Sequence, residues 1–250
     1  MKVGFLITVR LKSTRLPMKA ILKLQEKEMV SWMIKRVKLS PVVDQVVIAT
    51  STNPQDDQLE IIAKRENAGC FRGSEDDVLG RLYGAAKKYQ LDYILSATAD
   101  CPLVAYDFFQ KAVNTYRQTK ADLLTCLKLP IGLFFYGIDV KALKKVVDRK
   151  RETNTEVWGG FFINDKQFKV VDMTIDEKYQ RQLRLTIDYP EDFRFLESLF
   201  VGLGKNAYKK TGVEIIDYLA SHPDLVDINW HCQDKYRQRI GQQIKKTRYK

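Results

Sequence analysis

The sequence predicts an α/β protein, a mostly parallel sheet with helices on both faces. Two observations carry this. Short apolar runs rich in β-branched residues alternate with segments whose apolar residues recur at helical spacing. Charged residues also stand just past the ends of several of those runs, where the ligands of open parallel sheets bind.

Val3-Gly-Phe-Leu-Ile-Thr-Val9 reads as a first buried strand. Val30, Met33, Ile34 and Val37 have helical spacing within 29–39, and Pro41 ends that helix. Gln45-Val-Val-Ile-Ala-Thr50 is a second buried strand. A capped entry at 51–57 leads into a helix to about Asn67 with Leu59, Ile62 and Ala63 inward, closed by Gly69. Cys70-Phe71 is a brief edge strand, and Ser74 is the expected N-cap of a helix through Val78, Leu82, Ala85 and Ala86. Residues 92–97 form a further buried strand, 106–119 a helix and 122–126 another strand.

From 127 to 173 the alternation weakens, and this stretch reads as a small inserted subdomain. Within it, 133–140 is an expected strand running into a helix to Arg149, 152–162 a helix broken near Gly159-Gly160, and 168–173 a strand. Regular order returns with the alternating strand 182–188 and a helix opened by Pro190, with Phe193, Leu196 and Leu199 on one face. An amphipathic helix at 213–221 precedes a basic tail, 231–250, so the main domain is expected to span 1–230.

A chain of 250 residues can bury a sizeable core. No segment approaches the roughly 20 apolar residues that span a bilayer, and no leader pattern is evident, so a cytoplasmic protein is expected. Four scattered cysteines and two histidines support neither a disulfide framework nor a thiolate zinc site. Of the formal net charge of +11, the tail from His231 holds seven Lys/Arg against one Asp. The remaining excess suits an anionic small molecule as well as it suits RNA, and nucleic acid is not the expected partner.

The chemistry concentrates at the end of the first strand. Arg10, Lys12, Arg15 and Lys19, with Ser13 and Thr14 between them and Pro17 stiffening the exit, suit a polyanion such as a nucleoside triphosphate. A solvated basic loop is the competing reading. Asp100 and Asp188 close two later strands at the same edge, and two carboxylates with a triphosphate can hold Mg²⁺ through oxygen alone. Helix capping is the alternative for each. Neither G-x-x-x-x-G-K-[ST] nor G-x-G-x-x-G occurs, which argues against a P-loop NTPase or a dinucleotide-binding dehydrogenase. With His222 and His231 both late in the chain, no nucleophile has an evident base, so acyl transfer is not expected.

These residues also resemble a known family. Arg10-Leu-Lys-Ser13-Thr14-Arg15-Leu-Pro17-Met18-Lys19 is similar to the A-R-x-x-S-T-R-L-P-G-K loop of the cytidylyltransferases that activate acidic sugars, such as the acylneuraminate and 3-deoxy-manno-octulosonate enzymes. It resembles most the spore-coat polysaccharide biosynthesis protein F group. Arg72-Gly-Ser74-Glu-Asp-Asp-Val-Leu-Gly-Arg81, Asp100-Cys-Pro-Leu103 and Leu185-Thr-Ile-Asp188-Tyr-Pro-Glu-Asp192 resemble three more segments of that group in the same order. The resemblance implies a three-layer α/β/α nucleotidyltransferase fold of the glycosyltransferase-A-like kind, CTP and Mg²⁺ as ligands, a small anionic sugar-type acceptor, and commonly a homodimer. It implies that Arg10, Ser13, Arg15 and Lys19 bind the triphosphate. Arg72, Ser74 and Arg81 would then line the cytosine and ribose side. Arg10, Lys19 and Asp100 would act in catalysis, and Asp100 and Asp188 would meet the metal.

Two departures stand out. Met18 occupies the position where the group prefers glycine, and 129–160 only partly follows the group's pattern in the region that normally meets the acceptor. A glycosyltransferase of related fold would carry a D-x-D metal motif, which Thr98-Ala-Asp100-Cys lacks. A non-catalytic nucleotide-binding relative is the other alternative.

Overall fold

A computed structural model describes residues 1–13 and 15–238 of the chain. The hydroxyl of Thr14 and the tail beyond 238 lie outside the described residues. The elements run β1 (Val3–Thr8), a two-residue antiparallel pair β2 (Lys23–Leu24) and β3 (Lys27–Glu28), α1 (Met29–Val37), β4 (Gln45–Ser51), α2 (Asp57–Arg65), β5 (Gly69–Gly73), α3 (Val78–Tyr89), β6 (Tyr93–Thr98) and α4 (Phe109–Thr119). They continue with β7 (Leu123–Thr125), β8 (Tyr136–Asp139), α5 (Val140–Arg149), α6 (Gly160–Ile163), β9 (Val170–Asp172), α7 (Pro190–Leu203), α8 (Gly212–Ala220) and α9 (Pro223–Asp227).

Seven strands form one sheet in the order β5-β4-β1-β6-β8-β7-β9. The pairs β5/β4, β4/β1, β1/β6 and β7/β9 are parallel, and β8 runs antiparallel to both its neighbours. Alternation along β1 assigns each residue to a face. Phe5 and Ile7 enter a core shared with α1, α2, α4, α7 and α8, whereas Leu6 enters a second core with α3, α5 and α6. Two cores on opposite faces of one sheet make the three layers that the alternation predicts.

The stretch 127–173 supplies β8 and β9 to this same sheet, and α5 and α6 to the second core. The strand expected at 133–140 is shorter, and the helix expected at 152–162 is reduced to Gly160–Ile163. The expected strand 182–188 is not part of the sheet. It is an extended segment with one isolated parallel bridge, Ile131 to Arg184, closed by Leu185 N–H to Ile131 C=O, and its next backbone bond, Ile187 N–H to Asp100 C=O, goes to a turn rather than a strand. Cys126 is buried, and Cys70 on the edge strand is partly buried.

Gly132 is what lets this segment lie so close. Its φ is +94°, and a Cβ built there would sit 2.2 Å from the Leu185 carbonyl carbon. Gly132→Ala therefore forces both strain and a backbone shift. It is expected to cost about 2–4 kcal/mol, read from the urea midpoint at unchanged m-value.

Candidate active site

The register of the parallel strands builds the site. Thr8, the last residue of β1, pairs with Ala49 on one side and Thr98 on the other. Arg10 and Asp100 each follow two residues beyond that paired row, so they emerge at the same carboxyl edge. The 99–101 turn is held to that edge because Ala99 N–H donates to Thr8 C=O.

Beneath the loop after β1 lies a carboxylate that the sequence reading did not single out. Asp56, 2% exposed, accepts from Leu11 N–H at 2.8 Å, from the Thr50 hydroxyl at 3.0 Å and from the Ser51 hydroxyl. It therefore ties the start of the basic loop to the end of β4. No local pattern reveals this, since Leu11 and Asp56 are 45 residues apart.

Further along, Met18 sits at φ 58°, ψ 19°, in the left-handed region. The related loop's preference for glycine thus has a backbone cause. Met18 adopts the glycine-type conformation at a cost of about 1 kcal/mol, while its side chain packs on the core and its sulfur lies 3.5 Å from Gln55 Nε2. Met18→Gly is accordingly expected to leave kcat/KM within about fivefold, since the effect is limited to about this strain.

Met18 leads directly into Lys19, whose ammonium, almost fully buried, lies 2.8 Å from Asp100 Oδ2 and 3.2 Å from Asp188 Oδ1. It also donates to Ile187 C=O at 2.8 Å. Arg15 Nη2 donates to the same Asp188 oxygen at 2.5 Å. Burial would lower the Lys19 ammonium, but Asp100 and Asp188 outweigh it and hold it above its ordinary value. Burial, reinforced by Asp188, raises the Asp100 carboxyl against the pull of Lys19 and Arg15.

The two aspartates are also coupled through the backbone, because Asp100 C=O accepts from Ile187 N–H at 2.9 Å and the Thr186 hydroxyl at 3.3 Å. Two carboxylate oxygens converging on one cation are hard, oxygen-only donors, the set that suits Mg²⁺. Cys101 stays out of that set, its thiol turned to Thr98 and Thr186 and pushed up to about 12 by burial.

A second cluster lies beside the first. Arg10 Nη1 reaches Glu75 and Asp76 at 3.7 and 3.6 Å, and its Nη2 reaches Glu156 at 3.3 Å. Lys12 pairs with Glu75 at 3.0 Å and with Asn53 holds that carboxyl below its usual range. Arg81, 3% exposed, donates through Nη1 to the carbonyls of Ser74 and Glu75 at 2.6 Å each. Ser13 Oγ accepts from Leu16 N–H at 3.4 Å and so shapes the loop.

Ser74 is not the N-cap of α3. Asp77 is, accepting from Gly80 N–H at 2.9 Å, because it stands immediately before Val78 whereas Ser74 stands four residues earlier. Ser74 Oγ caps only the turn at Asp77 N–H. Asp77 is further held by Lys150 at 2.7 Å and by the Thr155 hydroxyl at 3.0 Å, which draws 150–156 against this end of α3.

Arg72 is turned to α2, where it pairs with Asp57 at 2.6 Å and Glu60 at 3.3 Å and donates to the carbonyls of Ser51 and Asn53. The structure thus joins Arg15, Lys19, Asp100 and Asp188 in one cluster and Arg10 and Arg81 in a neighbouring one, with Arg72 outside both. Within these clusters Arg15 Nε and Arg81 Nε are buried without a hydrogen-bond partner among the described residues.

Guanidinium groups beside paired carboxylates at the carboxyl edge of a sheet are the donor set of enzymes that handle phosphates with a divalent cation, the nucleotidyltransferases among them. Comparison with known proteins makes this specific. The chain belongs to the cytidylyltransferase family, whose model matches residues 5–217. It is 30% identical over 245 residues to an uncharacterized protein of Methanocaldococcus jannaschii, covering 95% of this chain and 99% of that one. To the spore coat polysaccharide biosynthesis protein SpsF of Bacillus subtilis it is 27% identical over 233 residues, covering 88% and 95%. Among solved structures, a cytidylyltransferase from Leptospira borgpetersenii superposes with a TM-score of 0.82 at 29% identity, over 90% of this chain and 97% of that one. The protein is an enzyme, a nucleotidyltransferase. Among its described residues no helix is long and apolar enough to cross a membrane.

Proposed function

We propose that the enzyme transfers CMP from CTP to a sugar or sugar-acid, releases pyrophosphate, and serves surface polysaccharide biosynthesis in the cytoplasm. The observation that carries this reading is the convergence of Asp100 and Asp188 on Lys19, with Arg15 beside them, at the carboxyl edge of the sheet. An acceptor hydroxyl oxygen attacks the α-phosphorus in line and releases its proton to water, the bond from that phosphorus to the bridging oxygen breaks, and pyrophosphate leaves with the bonding electrons.

Each residue has a part in that displacement. Arg15 and Arg10 fork onto paired phosphate oxygens, and Lys19 acts as a point charge. Ser13 holds the loop's turn. Arg81 and the carbonyls it fixes at Ser74 and Glu75 line the base and ribose side, with Arg72 bracing that wall from behind. Asp100 and Asp188 would hold Mg²⁺, which when bound neutralises charge on the phosphate oxygens. The stretch 127–173 meets the acceptor and contributes to a homodimer, within a main domain of 1–230.

Pyrophosphate release from each of the four ribonucleoside triphosphates, with Mg²⁺ and a panel of neutral and acidic sugars, tests this. Release with CTP and an acceptor is expected. Release with another triphosphate alone would overturn the base assignment, and silence with all four the activity.

A further inference from the structure

Asp188 does not set its own position. Its N–H donates to Asp192 Oδ2 at 2.8 Å, as does Tyr189 N–H at 3.0 Å. Asp192 in turn takes a two-armed bond from Arg184, Nε to Oδ1 and Nη2 to Oδ2, both 2.8 Å. The same Arg184 Nη2 lies 3.5 Å from Asp188 Oδ2, the oxygen facing away from Lys19 and Arg15. Asn229 closes the network, its side-chain amide donating to Asp192 Oδ1 at 2.9 Å and to Arg184 C=O at 3.0 Å. Gln233 accepts from Arg184 Nη1 at 3.2 Å, and the rings of Tyr189 and Tyr236 lie against the guanidinium.

Asp192, Arg184 and Asn229 are at most 1% exposed. Five donors use up both oxygens of Asp192, so it cannot shift without leaving a buried group unpaired. Asn229 and Gln233 lie beyond residue 217, where the family match ends.

We propose that the segment 229–236 braces the active site from outside it, with Asn229 and Gln233 as positioning residues that fix the Asp188 carboxylate through Arg184 and Asp192. The inference rests on the reading of Asp188 as a metal ligand. A neutral amide is the right donor here. It fills the last acceptor direction of Asp192 without bringing a second cation to compete with the fork from Arg184. Outer partners of this kind set how well a ligand is poised for its ion rather than whether the chain folds.

The test uses the full chain with CTP present. Mn²⁺ binding is read by electron paramagnetic resonance, and the metal concentration for half-maximal pyrophosphate release is read alongside. Asn229→Ala is expected to weaken Mn²⁺ binding about tenfold and to move the half-maximal metal concentration in step, with kcat at saturating metal within about threefold. A merely structural role would lower the yield of active enzyme and leave the metal midpoint in place. If Asn229→Ala does not fold, Gln233→Ala at the open end of the network decides, with an expected shift of about threefold.

Asp188→Asn separates the two levels of the argument. Unchanged Mn²⁺ binding in that variant would overturn the metal role of Asp188 itself. A loss there, together with unchanged midpoints in the Asn229 and Gln233 variants, would overturn only the positioning role of 229–236.

Discussion

Asp100→Asn is expected to abolish turnover, by at least about a thousandfold, while the protein stays folded. The change keeps the shape of the side chain and removes one of two negative charges that converge on a single cation position, an effect worth several kcal/mol in the transition state. The same geometry predicts the sign for stability. A carboxyl held above its ordinary range by burial and by Asp188 binds protons more readily folded than unfolded. Its ionisation therefore opposes folding, and that cost grows as pH rises from the ordinary carboxylate range through the raised value. Asparagine carries no such cost, but it gives up the 2.8 Å ion pair with the buried Lys19 ammonium, and the two changes oppose each other. Calorimetry at neutral pH should therefore find a cooperative transition close to that of the parent, and loss of the cooperative transition would contradict this account of the site.

Lys19→Ala is the second large effect, expected to lower kcat/KM at least tenfold and by about a hundredfold if the ammonium acts mainly on the transition state. Here stability moves the other way. Removing a buried ammonium leaves Asp100 and Asp188 facing each other with their shared cation gone, so the urea midpoint should fall at neutral pH. Mg²⁺ should recover part of that loss, because it stabilises whichever state binds it. Lys19→Arg should not restore the rate. A planar fork cannot occupy a position that takes one carbonyl and two carboxylate oxygens around a single nitrogen. Steady-state kinetics with a fixed acceptor, beside denaturation curves with and without Mg²⁺, check both halves.

What the sequence disclosed and what it hid divide along a physical line. Features encoded by local spacing were legible: the apolar run of β1, the cations of the loop after it, and the aspartate two residues past β6. The loop's conformation was legible at Met18 as an anomaly, though not its resolution, since a glycine preference does not say whether another residue can adopt the same backbone. Alternation at 182–188 looked like a strand with one wet face, but the segment is extended and buried on both sides, since Arg184, Thr186 and Asp188 turn to Asp192, Asp100 and Lys19 rather than to solvent. Ser74 looked like an N-cap because several polar residues precede α3, and only the chain's path selects Asp77.

The groups that hold the site together were the least legible. Asp56 acts on Leu11 and Asn229 acts on Asp192 across 45 and 37 residues, through buried hydrogen bonds that leave no periodic trace. Arg36 makes the same point away from the site. It is fully buried in α1 and donates to the carbonyls of Val104, Tyr208 and Lys210, and burial pulls its guanidinium down to about 10. In the sequence it reads as an ordinary helix cation.

The central claim is that this edge of the sheet directs attack at the α-phosphorus of CTP. Phosphorus-31 NMR of a reaction with CTP, Mg²⁺ and an accepted sugar tests it most directly. The account predicts pyrophosphate and a cytidine monophosphate diester appearing in equal amounts as CTP disappears, both lost in Asp100→Asn. Release of CDP or inorganic phosphate instead, from attack at the β- or γ-phosphorus, would contradict it.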